Sequence, residues 1–283
     1  MLIIDTDLGG DPDDAIALAA ASRLPELALV VTSDECGGRR ARLTRHLLDL
    51  LGRSDVQVVA GIDLGNERYW AADGLIPDAV PEQPTDVAAA VDAALRAHPG
   101  EIRWLGIGPL SNLAAVLTSV PDARRLRITQ MGGGLTYRHA DRAEHNVRLD
   151  VEAARTVLHA GMPLRVLPSN ISFVPDNEIT TDATEYRLLA GADGPWALIR
   201  AHIDQWFAAF HPGTMQADAL ALALAMDQPF VRTARTGVDL DDIGRMVPGE
   251  CQVDLAEQAD YPRFRAWLTE RLRLGIAESA VSP

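Results

Sequence analysis

Short apolar runs alternate along the chain with longer stretches of helical period. Residues 2–5, 28–32, 56–59, 102–106, 126–131 and 164–168 are compact apolar runs, and they predict buried strands. Residues 12–22, 39–51, 85–97, 110–118, 150–160, 196–209, 217–226 and 261–274 space their apolar positions as helices do. Strand followed by helix, repeated, predicts an α/β fold: a Rossmann-like, mostly parallel central sheet flanked by helices. No internal repeat or low-complexity linker divides the chain, so a single domain over residues 1–283 is expected. Residues 61–84, rich in Gly, Pro and acidic side chains, predict a long functional loop, and 169–182 a second irregular stretch.

Charge narrows the function. Asp and Glu number 40 against 26 Lys and Arg, a formal net charge of −14. Such a surface argues against binding nucleic acid or an anionic membrane, both of which need clustered cations. Two cysteines, Cys36 and Cys251, cannot build a disulfide framework or a multi-cysteine zinc site. The N-terminus Met1-Leu2-Ile3-Ile4-Asp5 lacks the features of a signal peptide, and no apolar run reaches the ~18 residues of a membrane span. The expected compartment is the cytoplasm.

The strongest local signal is Asp5-Thr6-Asp7-Leu8-Gly9-Gly10-Asp11-Pro12-Asp13-Asp14, between the first strand and an Ala-rich helix. Open α/β sheets hold ligands at this end of their strands. Helix capping accounts for Asp11, Pro12 and one more carboxylate. It does not account for Asp5 and Asp7 as well. Five carboxylates in ten residues repel one another unless cations or protons neutralise them. All-oxygen ligation suits Ca²⁺ or Mg²⁺. An Asp-x-Asp pair after a strand also fits haloacid-dehalogenase-like phosphotransferases. Those usually carry Thr or Val where this chain has Gly9, and Asp13-Asp14 follow at once.

A second resemblance fits more of the chain. Asp5-Thr6-Asp7 with Gly9 and Asp13-Asp14-Ala15 resembles the opening signature of the calcium-dependent nucleoside hydrolases. Gly108-Pro109-Leu110-Ser111-Asn112-Leu113, Met131-Gly132-Gly133, Ala143-Glu144-His145-Asn146 with Asp150-Val151-Glu152-Ala153-Ala154, and Asp218-Ala219-Leu220-Ala221 resemble later motifs of that family in the same order. The tail, with Gly244, Gly249 and Tyr261-Pro262-Arg263-Phe264, is also similar.

The resemblance implies hydrolysis of the N-glycosidic bond of a ribonucleoside through an oxocarbenium-like transition state. It implies Ca²⁺ held by Asp7, Asp14, the Ile107 carbonyl and Asp218, with Asp7 as general base toward water. It implies that Asp13 and Asn146 bind the ribose hydroxyls, that Glu144 lies near the 5′-hydroxyl, and that His139 stands close to the family's 5′-end Asn. A homodimer or homotetramer is implied too. Taken singly, Asn146 suits a turn, Glu144 a surface pair with Arg142 or Arg148, and Asp218 a helix start; Asp150 suits a cap of the helix at 151–160.

The base-binding end departs from the inosine–uridine members. The histidine they carry before the late aspartate is Ala217 here, and the loop that holds another reads Arg68-Tyr69-Trp70-Ala71. Three explanations stand open. Trp70 with Glu35-Cys36 resembles the purine-preferring branch, where aromatic stacking activates the base, so a purine is favoured. Alternatively His211 or His139 reaches the leaving group. Or the chain binds a ribosyl ligand without hydrolysing it. Arg138 and Arg142 beside His139 suit surface charge, or a 5′-phosphate. Trp70 equally suits a loop anchor, and Trp206 core packing.

Overall fold

The computed structural model describes residues 1–137, 139 and 141–279. Among the described residues eleven strands form: β1 Leu2–Thr6, β2 Leu27–Thr32, β3 Gln57–Ala60, β4 Ile102–Gly106, β5 Leu126–Met131, β6 Leu164–Leu167, β7 Glu178–Thr180, β8 Gly213–Met215, β9 Val231–Leu240, β10 Met246–Pro248 and β11 Cys251–Ala259. Nine of them make one sheet in the order β10-β9-β11-β6-β5-β4-β1-β2-β3. β1 to β6 run parallel, and β11 continues parallel to β6. β9 and β10 close that edge antiparallel. β7 and β8 pair separately as a small antiparallel ribbon.

The apolar continuity of the inner strands follows from burial on both faces. In β1, Leu2 and Ile4 join one core and Ile3 the other, and all three are solvent-free. The first core is covered by helices Asp13–Ser22, Ala217–Ala225 and Tyr261–Ser279. The second is covered by Val87–Ala97, Ser111–Ser119 and Val151–His159.

Helices Asp13–Ser22 and Ala217–Ala225 pack on each other, and every residue of both is buried. Their alanines let the two backbones approach closely, so a helix that is apolar all round is placed inside the molecule. β1 lies between β2 and β4. The chain winds outward in both directions from that point, which opens a crevice at the carboxyl ends of β1 and β4.

Besides strand β8 and the short helices His145–Leu149 and Thr184–Leu188, two regions differ from the sequence expectation. Residues 231–259 contribute β9, β10 and β11, where no strand is expected. β9 is rich in Arg and Thr and mostly half-exposed, so it carries no apolar run. The stretch 169–182 holds helix Ser169–Ser172, a 3₁₀ turn Pro175–Asn177 and β7. Residues 61–84 carry neither helix nor strand, as expected of a loop. Among the described residues no helix is long and apolar enough to cross a membrane.

Candidate active site

The carboxylates after β1 divide into two groups. Asp5 is buried away from the crevice. Asn112 Nδ2 donates to Asp5 Oδ1 at 3.0 Å and to the Thr32 carbonyl at 2.9 Å, while its Oδ1 accepts the Ile62 N–H at 3.0 Å. One amide thus ties together β1, β2 and the start of the long loop. Burial pushes the Asp5 carboxyl up to about 8.

The other group lines a cleft of about 310 Å³ at the ends of β1 and β4. Asp13 and Asp14 open one Ala-rich helix and Asp218 the other. One carboxylate oxygen from each lies within 4.8 Å of the other two, and all three residues are buried. Positive helix N-termini favour carboxylates there. They do not cancel the cost of burial. Burial first, and then the neighbouring carboxylates, pushes all three far above the usual carboxylate range. The Thr6 hydroxyl donates to Asp14 Oδ1, and the Asp218 N–H to Asp13 Oδ2 at 3.3 Å. Asp11, which takes the Thr214 hydroxyl, is pushed up to about 7 by its burial.

Asp7 and Ile107 line the same cleft. A Cβ on Gly108 would collide with Ser33 Oγ and stand 3.1 Å from the Asp7 nitrogen, so the turn after β4 passes close beside Asp7 and Ser33 because it is glycine. Asp7 is raised by burial and held back by Arg40. Asn146 Nδ2 donates to the Ile107 carbonyl at 3.1 Å and to the Met131 carbonyl at 3.2 Å. Arg40 and Arg148 are too few to balance the carboxylates that line this cleft, and buried oxygens of this number fit a hard divalent ion.

That cluster carries a stability consequence. Asp5 and Asp11 titrate near 3.8 when exposed and near about 8 and about 7 when folded. Between those values the folded chain binds more protons than the unfolded one, so stability falls as pH rises. The melting temperature of metal-free protein is expected to drop between about pH 5 and about pH 8, and added calcium to raise it most at the higher pH. Calorimetry across that range measures this; a flat midpoint with no calcium response would contradict it.

Arg40 is the side chain that sequence reasoning missed most completely. It is buried, with Nε donating to the Asp34 carbonyl at 2.6 Å and Nη1 to the carbonyls of Asp7 and of Leu8, the latter at 3.1 Å. Its Nη2 stands 3.5 Å from Asp34 Oδ2. Nothing in the pair Arg39-Arg40 marks which arginine turns inward.

The aromatic wall of the cleft also differs from the residues expected at a base. Tyr69, His145, Trp206 and Phe173 line the cleft, and Glu35 and Trp70 do not. Glu35 caps the helix Arg39–Leu50 from inside: its carboxylate accepts the N–H groups of Arg40 at 3.2 Å and Ala41 at 2.9 Å, and the Thr32 hydroxyl. Trp70 packs against Gly9, where a Cβ would come within 2.5 Å of the indole. Its Nε1 donates to Asp73 at 2.8 Å and Arg39 covers the ring at 4.6 Å. Trp70 anchors the loop, and the residue before it enters the cleft. Tyr69 meets His145 edge-on at 5.8 Å and lies 6.4 Å from Trp206.

Neither histidine proposed for the leaving group faces the cleft. His211 Nε2 is 2.9 Å from Glu178 Oε1, and His139 lines a neighbouring cavity. Arg138 lies outside the described residues. The histidine in the cleft is His145. Arg148 donates to its Nδ1 at 2.8 Å, so the ring proton sits on Nε2, 3.9 Å from Asp7 Oδ2. Burial, with Arg148 and Arg40 nearby, pushes His145 down to about 4, and it is neutral. Its signal was visible as the residue at which Ala143-Glu144-His145-Asn146 departs from the motif it resembles.

Glu144 is buried rather than paired at the surface. Its oxygens accept N–H groups from Gly133 at 3.0 Å, Asn146 at 3.0 Å and Val147 at 3.2 Å. Asp150 caps the following helix through the Ala153 N–H at 3.0 Å. Burial raises the Cys36 thiol, which leaves it unreactive.

The family model of inosine-uridine preferring nucleoside hydrolases matches residues 2–266. The pyrimidine-specific ribonucleoside hydrolase RihA of Salmonella arizonae is 28% identical over 280 residues, covering 89% of this chain and 88% of the relative. Among solved structures, a purine-preferring ribonucleoside hydrolase from Gardnerella vaginalis matches with a TM-score of 0.82 at 20% identity, over 98% of this chain and 99% of its own. The type III effector protein XopQ, complexed with adenosine diphosphate ribose, matches with a TM-score of 0.75 at 19% identity, over 97% and 94%.

Proposed function

The chain belongs to the inosine-uridine preferring nucleoside hydrolase family and is an N-ribohydrolase, and from that premise we propose that it cleaves purine ribonucleosides with a calcium ion at the buried aspartates. The observation that carries the proposal is the cluster of Asp13, Asp14 and Asp218 beside Asp7, Ile107 and an aromatic wall in one cleft. Asp7, Asp14, Asp218 and the Ile107 carbonyl are the oxygens that would hold the ion. Bound there, calcium supplies neutralisation of the carboxylates, ligation of vicinal hydroxyls and polarisation of water.

The chain's own groups do the rest. Asp7 takes the proton of the attacking water as its oxygen bonds to C1′. His145 places its Nε2–H 3.9 Å from Asp7 Oδ2, beside the base but beyond hydrogen-bond length. Asp13 accepts from a ribose hydroxyl. Asn146 spends its Nδ2 on two carbonyls, which leaves Oδ1 for another. Glu144 has accepting capacity beyond its three backbone donors for the 5′-hydroxyl. Tyr69 and Trp206 offer ring faces to the base, and these rather than Trp70 now support a bicyclic base. The bond from C1′ to the base nitrogen breaks, and the base leaves with a proton.

Free-ribose release from purine and pyrimidine nucleosides, with calcium and with chelator, tests this. Release that chelator abolishes, with purines ahead, is the expected result; release indifferent to chelator overturns the calcium assignment. The second reading is a pyrimidine substrate, favoured by the 28% identical relative. Tyr69→Ala separates them. Lost stacking is worth about 1–3 kcal/mol per base, so kcat/KM for purines should fall about tenfold and for pyrimidines less. Equal losses would remove Tyr69 from base choice. A homodimer or homotetramer in the cytoplasm belongs to the same proposal on the family resemblance, and sedimentation measures the oligomer.

A further inference from the structure

A second cavity of about 480 Å³ adjoins the cleft and shares Glu144, His145, Arg148 and Phe173 with it. Both volumes fall in the range of ligand pockets. Arg142 and His139 extend its wall away from the cleft. Glu144 is its one carboxylate among the described lining residues, and three backbone N–H groups already engage that carboxylate.

Two arginines, Arg142 and Arg148, line this cavity. Asp and Glu outnumber Arg 40 to 26. Most arginines here meet a carboxylate, and Arg103, Arg127 and Arg165 even converge on one, Asp227. Among the described residues Arg142 and Arg148 have no carboxylate at ion-pair distance; the Arg148 guanidinium bonds to His145 Nδ1 and acts on the Glu144 carboxylate only from farther away. Cations left over in an acidic protein, facing a cavity, are placed for an anion. A guanidinium fork matches phosphate oxygens.

The cleft fixes which part of a substrate would reach them. A ribose has its 2′,3′-diol, its base and its C5′ arm to place. The carboxylate cluster takes the diol, and Tyr69 and Trp206 take the base. Past Glu144, which lines both, lies the arginine cavity, within reach of the C5′ arm.

We propose that this cavity binds a phosphate on the ribose 5′-oxygen, so that the natural substrate is a nucleoside 5′-phosphate. The inference rests on the orientation given under the proposed function. The reaction adds water across one bond: C1′–O forms, C1′–N breaks, and the products are free base and ribose 5-phosphate, with the proton carried off by the base.

The test compares kcat/KM for a purine nucleoside and its 5′-monophosphate, in wild type and in Arg142→Glu, with calcium present. One charge-assisted contact is worth about tenfold or more, so the monophosphate should lead by at least that factor, and Arg142→Glu should erase the lead. Reading the ratio cancels any general loss in the variant. Calorimetry of ribose 5-phosphate against ribose on calcium-loaded protein should show the same preference without turnover. Cleavage of nucleosides with no phosphate advantage, or a ratio unmoved by Arg142→Glu, or equal affinity for the two sugars, overturns the inference and leaves the nucleoside reading standing. Failure to cleave either substrate overturns both.

Discussion

Asp7→Asn lowers kcat on the best substrate by about a hundred- to ten-thousandfold, the range for loss of a general base. Asn keeps the shape but cannot take a proton. The loop itself should survive, because Arg40 holds the Asp7 backbone carbonyl and not the side chain. Gly108 still has its close passage beside residue 7. Turnover, melting temperature and calcium stoichiometry measured on one preparation separate chemistry from folding. Turnover within a few-fold of wild type would end the role of Asp7 as base.

Arg40→Met produces the largest loss of stability, about 3–5 kcal/mol, the usual result of removing one partner of a buried ion pair. Both side chains of the Arg40–Asp34 pair are almost solvent-free. The substitution leaves the Asp34 carboxylate short of its cation and the carbonyls of Asp7, Leu8 and Asp34 short of a donor. Asp34 holds a positive φ of 51°, a strained backbone for a non-glycine residue, which the arginine helps to fix. Lysine should not restore stability, since one ammonium cannot reproduce the planar fork. Urea denaturation measures the loss; a change under about 1 kcal/mol would show the pair to be dispensable.

Legibility in the sequence followed physical cause. Strands buried on both faces announce themselves as apolar runs, so β1 to β6 could be read within a residue or two. Carboxylates crowded into ten residues cannot be explained by a solvated surface, so Asp7, Asp13 and Asp14 could be read as a group, whereas Asp218 was reached only through the resemblance. The base end could not. Tyr69 and Trp70 are neighbours in a loop without period, and only the fit of an indole onto Gly9 decides which ring turns into the cleft. Glu35 has the composition of a site residue and the geometry of a cap, and its partners are the backbone N–H groups of Arg40 and Ala41. β9 alternates too weakly to announce itself, because its residues are mostly only half-buried.

The two Ala-rich helices that bring Asp13 and Asp218 together begin about two hundred residues apart along the chain. During synthesis the first carboxylates therefore leave the ribosome well before the last one exists, a delay of about 10–40 s at ordinary elongation rates. Throughout that interval the nascent chain carries a cluster of acids whose closing member has not been made. Capture of a cation there would then be a late event, and a chain stalled before Asp218 would lack the carboxylate that closes the cluster.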